Sequence, residues 1–118
     1  MKRPSPSEHS IQVTVIDYID KCKTHPDIFA ISSTNAAKRS LRLGARMKAE
    51  GMTAGVADIQ ILLPEGRSAW IELKTAKGTQ SIQQKGFQAR CARLGHPYEV
   101  CKSVQAAIDT LKSWGVTR

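Results

Sequence analysis

No apolar run in this chain approaches the ~18 residues that a membrane span needs. None follows its basic start, Met1-Lys2-Arg3-Pro4-Ser5-Pro6, so neither a transmembrane helix nor a signal peptide is expected. Cysteine is scarce and odd in number: Cys22, Cys91 and Cys101 lie far apart among apolar residues. No Cys/His pair has zinc-site spacing. That argues against a disulfide framework and a zinc centre, and for buried free thiols in a reducing compartment, the cytoplasm. His9, His25 and His96 have no partners at catalytic spacing and read as surface or core residues. Repeats, low-complexity stretches and interdomain linkers are absent, so residues 1–118 read as one domain with one ordinary core and a flexible tail over 1–5. Acid is in short supply: 10 Asp and Glu against 18 Lys and Arg leave a net charge of +8. That imbalance favours a polyanionic partner, nucleic acid before an anionic membrane surface.

The informative segment is central. Ala57-Asp58-Ile59-Gln60-Ile61-Leu62-Leu63 and Ser68-Ala69-Trp70-Ile71-Glu72-Leu73-Lys74 both read as strands. Pro64-Glu65-Gly66 between them suits a three-residue hairpin loop, a type I turn with Gly66 left-handed. Leu63 then opposes Arg67, Ile61 opposes Ala69, Ile59 opposes Ile71 and Asp58 opposes Glu72. The pleat puts Asp58, Glu72 and Lys74 on one face, and Ile59, Ile61, Leu63, Ile71 and Leu73 on the core face. Directly opposed strand residues have Cβ atoms roughly 4.5–5.5 Å apart, where like charges destabilise. Two facing acids are kept when something cationic sits between them, and a divalent metal on oxygen ligands is the simplest candidate. Lys74, one pleat further on, can meet a phosphate or an attacking water. Trp70 shares the Glu72 face and reads as core.

The rest of the chain frames this hairpin. Ser5 as N-cap, Pro6 at the first position and Glu8 closing a capping box open a helix that runs to about Lys23 on Ile11, Val15, Ile19 and Cys22. Glu8 shares that apolar face, which aims it along the buried side. Ile28 to Ser32 is a short strand. Ala36 to Ala49 is a helix ended by Gly51, with Lys38, Arg42 and Arg46 on one face and Arg39 and Lys48 beside them. Such a stripe, near a carboxylate–lysine cluster, suits phosphate-backbone contacts. Ser81 caps a helix with a Phe87, Cys91, Leu94 stripe, ended by Gly95, and Gln84 makes Ser-x-x-Gln a second capping box. Pro97 to Cys101 is a strand. Ser103 caps a last helix that carries Val104, Ala107, Ile108, Leu111 and Trp114 and closes at Gly115. The expected architecture is an α/β sandwich around a four-stranded sheet, with the hairpin at its centre and a parallel crossover into the last strand.

Glu8, Gly55-Val56-Ala57-Asp58-Ile59, Ile71-Glu72-Leu73-Lys74, Ser81-Ile82-Gln83-Gln84-Lys85 and Leu94-Gly95 together resemble the VRR-NUC domain of the PD-(D/E)xK nuclease superfamily. The resemblance runs from Glu8 to Trp114 and is to the stand-alone form found in phages and bacteria. It implies the restriction-endonuclease-like α/β fold, a central mixed four-stranded sheet flanked by helices. It also implies a nuclease that uses Mg²⁺ or Mn²⁺. By position, Asp58, Glu72 and the Leu73 carbonyl would hold the metal, with Glu8 as a further acidic ligand. Lys74 would orient or help deprotonate the water, and Gln84 would hold a ligand or contact substrate. Ala57 stands where many members have proline, a residue that shapes the strand entry and does no chemistry.

Two functional classes compete at this level. The first is a metal-dependent, structure-selective DNA endonuclease like a Holliday junction resolvase, or, within the same chemistry, a general or restriction-type nuclease on linear duplex. The second is a non-catalytic nucleic-acid-binding domain that uses the Arg42–Arg46 helix. Two facing acids favour the first, because a pure binder would avoid them near bound phosphates. A four-way junction needs two coordinated nicks, so a homodimer acting on branched DNA is expected.

Overall fold

The computed structural model describes residues 6–33, 45, 46 and 48–118. Its elements are α1 (Glu8–Cys22), β1 (Phe29–Ser32), β2 (Ile59–Leu63), β3 (Arg67–Leu73), α2 (Ile82–Leu94), β4 (Tyr98–Cys101) and α3 (Val104–Ser113). The four strands form one sheet in the order β1-β2-β3-β4. β1, β2 and β3 pair antiparallel, and β3 pairs parallel with β4, so the sheet is mixed and the hairpin is central, as expected.

The hairpin register is the one read from the sequence: Ile59↔Ile71, Ile61↔Ala69 and Leu63↔Arg67. The turn differs. Glu65 and Gly66 both have positive φ, +66° and +71°, whereas a type I turn would leave only Gly66 left-handed. A glutamate at positive φ is uncommon, which is why the sequence suggested otherwise.

The pleat sorts the sheet into two faces. Ile59, Ile61, Ala69, Ile71, Leu73 and Cys101 turn to α1 and α3, where Ile11, Val15, Ile19, Ala107 and Leu111 complete the core. The other face carries Trp70 and Tyr98 beneath α2. Phe87 meets Trp70 edge-on, with ring centroids 5.0 Å apart, and lies 6.1 Å from Tyr98. The α2 stripe stops a turn short of expectation: Cys91 is buried, but Leu94, in the last turn, is 67% exposed. The Tyr18 hydroxyl pairs with Thr117 Oγ1 (2.8 Å) and donates to the Arg118 carbonyl (2.9 Å), tying α1 to the chain end.

The caps show one correction. α1 begins at Glu8 with Ser7, two residues later than the expected Ser5, as its N-cap; Ser7 Oγ accepts from Ser10 N at 3.1 Å. Glu8 is therefore the first helical residue and not a capping-box acid. α2 does open on a capping box, Ser81 with Gln84, and closes on a left-handed Gly95. Ser103 caps α3 as expected. Of the expected Ala36–Ala49 helix, residues 45, 46, 48 and 49 are helical, and Gly51 follows at φ +100°. Lys38, Arg39 and Arg42 lie outside the described residues, as do the first five. The cysteines are free; Cys91 and Cys101 are buried, but Cys22 is only half-buried.

Candidate metal and active centre

Asp58 precedes β2 and Glu72 is the penultimate residue of β3, so extending the Ile59↔Ile71 register by one brings them opposite each other. Asp58 is fastened in place twice. Its carbonyl accepts from Ser33 N (2.8 Å), and its Oδ2 accepts from Leu73 N (2.7 Å) across the hairpin. Burial raises the Asp58 pKa, while the Leu73 N–H and the Lys74 ammonium pull it down.

Glu72 is the unusual residue. It is 0% exposed, and neither carboxylate oxygen has a hydrogen-bond partner that meets good geometry. Burial is the largest influence on its pKa, which is raised. Tyr98, Lys74 and Gln80 draw it down, and the negative charge of Asp58 adds to the rise. An uncompensated buried carboxylate is costly, and native folds rarely leave one without a purpose.

Lys74 continues the ladder beyond β3, its N–H donating to the Cys101 carbonyl at 3.0 Å. Its ammonium acts on both Asp58 and Glu72 but does not close an ion pair with either; the ion pairs among the described residues lie elsewhere. The Thr75–Gly78 turn folds back over it. A Cβ at Gly78 would sit 3.3 Å from Lys74 Cβ and from Thr75 backbone, so a side chain there would press on the lysine stem.

The loop before Asp58 is held against α2 by a second glycine. Gly55 has φ +87°, and a Cβ on it would lie 2.4 Å from the Gln83 carbonyl group and 2.7 Å from Gln84 N. Any other residue would push the Asp58 approach off the start of α2. Gln84 is half-buried there. Its Oε1 accepts from Ser81 N (2.8 Å), which leaves its amide nitrogen as the group it can offer.

Glu8 is exposed at the start of α1, so it is not aimed along the buried side as its spacing with Ile11, Val15 and Ile19 suggested. A first-turn residue lies ahead of the packed turns and escapes their cover. One turn on, Gln12 donates to Ser32 Oγ (2.7 Å), beside the Ser33 that holds Asp58. Arg46 and Lys48 are exposed, and Arg46 pairs with Glu50 at 3.1 Å.

Among the described residues, no three His, Cys, Asp or Glu side chains converge as a ready metal cage. The two facing carboxylates suit Mg²⁺, which takes one or two carboxylates and keeps several waters. The orphaned oxygens of Glu72 fit such an ion. Three residues around Glu72 escaped the sequence reading: Tyr98, Gln80 and Gln88. Gln80 Nε2 donates to Gln88 Oε1 (3.0 Å) and to Tyr98 Oη (3.3 Å). The available signal was Gln88, an amide one turn beyond Gln84 on the Phe87 and Cys91 side of α2.

Comparison with family models finds no match, and none is found among curated proteins. Solved structures do match. A VRR_NUC domain protein, 20% identical, superposes with a TM-score of 0.77 over 98% of both chains. A second structure described as a VRR_NUC domain, 17% identical, superposes with a TM-score of 0.63 over 90% of this chain and 94% of its own. Taken with the mixed sheet and the central Asp58–Glu72 hairpin, these likenesses give the chain the fold of a VRR-NUC domain, a PD-(D/E)xK-like α/β architecture.

Proposed function

We propose that this protein is a divalent-metal-dependent DNA endonuclease that hydrolyses phosphodiester bonds in branched DNA as a homodimer. The observation that carries the reading is the Glu72 carboxylate, wholly buried with both oxygens open beside Asp58. Asp58, Glu72 and the Leu73 carbonyl would hold Mg²⁺ or Mn²⁺. Such an ion, when bound, supplies Lewis-acid stabilisation at a phosphoryl group.

The chain's own groups divide the remaining work. The Leu73 N–H fixes one Asp58 oxygen and leaves the other free to bind. The Lys74 ammonium, acting on both carboxylates, orients the attacking water and steadies charge that builds on the phosphoryl oxygens. Gln84 offers its amide N–H to substrate. Arg46 and Lys48, with Lys38, Arg39 and Arg42 from the same segment, contact phosphates.

A count of sites supports dimerisation on a branched substrate. Among the described residues each chain has one facing carboxylate pair on the hairpin, whereas resolving a symmetric four-way junction takes two nicks related by a two-fold axis. The test is cleavage of matched linear, flap and four-way substrates with Mg²⁺, with Mn²⁺ and with EDTA, alongside sedimentation at micromolar concentration. Expected are twice the chain mass, paired symmetric nicks in the junction and silence in EDTA. Cleavage that persists in EDTA overturns the metal reading. A monomer that cuts linear duplex as readily as a junction overturns only the branched-substrate part.

A further inference from the structure

The two metal-facing carboxylates are secured differently. Asp58 is fixed by the Leu73 N–H, but no backbone group holds Glu72. What surrounds Glu72 comes from beyond the hairpin. The parallel register pairs Trp70 with Tyr98 and Glu72 with Val100, which places Tyr98 and Glu72 diagonally on one face. Diagonal pairs lie within reach of aromatic side chains. Gln80, from the connection into α2, donates one amide proton to Tyr98 Oη and another to Gln88 Oε1. With the phenol oxygen accepting from Gln80, its own proton is left to donate. The Glu72 carboxylate, on the same face as that hydroxyl, has both oxygens open.

We infer that Tyr98 is a positioning residue for Glu72: with Gln80 and Gln88 fixing the phenol, its O–H donates to one Glu72 oxygen and turns the other toward Asp58 and the cation. The role rests on the metal-site reading above. Gln88 completes the chain from the packed side of α2, so the helix that covers this face also sets the tilt of the carboxylate beneath it. Removing a partner that orients a metal ligand commonly costs about 10- to 100-fold in metal affinity.

The test is calorimetric titration of the whole chain with Mn²⁺, paired with thermal melting without metal. Tyr98→Phe keeps the ring beside Phe87 and removes only the oxygen. It should weaken Mn²⁺ binding about tenfold, while the metal-free protein keeps a cooperative melt. Gln80→Leu should weaken binding in the same direction, and the double variant should bind no worse than Tyr98→Phe alone, because Gln80 acts through Tyr98. Additive losses, or wild-type affinity in Tyr98→Phe, overturn the inference. If Tyr98→Phe loses its cooperative melt, Gln80→Leu decides alone, and unchanged affinity there is the overturning result. Glu72→Gln, titrated in parallel, separates the two ideas. If it abolishes Mn²⁺ binding while Tyr98→Phe leaves it intact, the metal site stands and the positioning role falls. If Glu72→Gln binds Mn²⁺ as wild type does, both fall together.

Discussion

Ile71 and Glu72 are neighbours on β3, and both are completely shielded from water. Their surroundings could hardly differ more. Ile71 faces α1 and α3 in a core made of Ile11, Val15, Leu111 and their neighbours. Glu72 faces the layer under α2, where Trp70, Tyr98 and Gln80 gather and its two oxygens stay unpaired. Equal burial thus serves opposite ends. Hiding Ile71 stabilises the fold, whereas hiding a carboxylate without partners works against it. A strand can carry both because the pleat sends successive residues to separate layers. One layer supplies the stability on which the other draws.

The largest expected effect breaks the comparison directly. Glu72→Gln should lower cleavage by at least about a hundredfold, the scale of losing one charge-stabilising group, while leaving the metal-free protein as stable as wild type or more so. Asp58→Asn should act likewise on cleavage. Ile71→Ala should do the reverse, costing ~2–5 kcal/mol of stability while the residual folded protein keeps its metal affinity. Chemical denaturation beside nuclease assays reads both. A Glu72→Gln variant that is clearly destabilised, yet cleaves normally, would make Glu72 an ordinary structural residue.

Much of this contrast was legible in the sequence. Alternation across Ile59–Leu63 and Ser68–Leu73, with Gly66 in the turn, fixes the register and hence the two faces. Asp58, Glu72 and Lys74 come together because period and loop length leave them no other face. What escaped depends on distant parts of the chain. Tyr98 reaches Glu72 only through the β3–β4 register, which is set by how α2 carries the chain back across the sheet, and no local pattern encodes it. The shift of the α1 cap from Ser5 to Ser7 is a subtler miss: two serines flank Pro6, and either side chain can cap a helix. Glu8 is exposed because the first turn lies ahead of the packed ones.

A second, somewhat smaller effect separates chemistry from metal binding within the polar layer. Lys74→Ala should lower turnover by roughly 10²–10³, the range for a lost electrostatic stabiliser, and leave Mn²⁺ affinity within a few-fold of wild type. Calorimetry on the variant is the check. Loss of the binding signal would assign the lysine to holding the carboxylates together.

The polar layer should also leave its mark on stability against pH. Asp58 and Glu72 both have pKa values raised above the ordinary 3.8 and 4.5, chiefly by burial. A carboxyl with a raised folded-state pKa binds its proton more tightly folded than unfolded. Its contribution is complete below the ordinary value and is lost as pH climbs through the folded value. The metal-free protein should therefore lose stability as pH rises from about 4, and Glu72→Gln should flatten the trend. Denaturant midpoints across that range, in EDTA, read it; a wild-type curve that rises instead would show that neither carboxyl is held in its protonated form by the fold.

The smallest effect concerns what the buried layer should not do. If Glu72 serves chemistry, affinity for DNA must come from exposed cations elsewhere, and Arg46 and Lys48 are the described pair on the basic segment. Arg46 is held by Glu50 in an exposed pair four residues apart. Such pairs are worth only ~0.3–0.5 kcal/mol, so a phosphate can displace the glutamate. Each phosphate contact removed should flatten the plot of log K against log salt by roughly 0.9. Arg46→Ala and Lys48→Ala should each do so by about that amount, without changing Mn²⁺ affinity. Glu50→Gln should tighten binding slightly, because the arginine no longer has to leave a partner. Glu72→Gln, by contrast, should leave the salt slope where it was. An unchanged slope in both cation variants would return this segment to a solvated face and move the DNA contacts elsewhere. A changed slope in Glu72→Gln would mean that the hidden carboxylate touches binding after all, and the division of labour between the two layers would no longer hold.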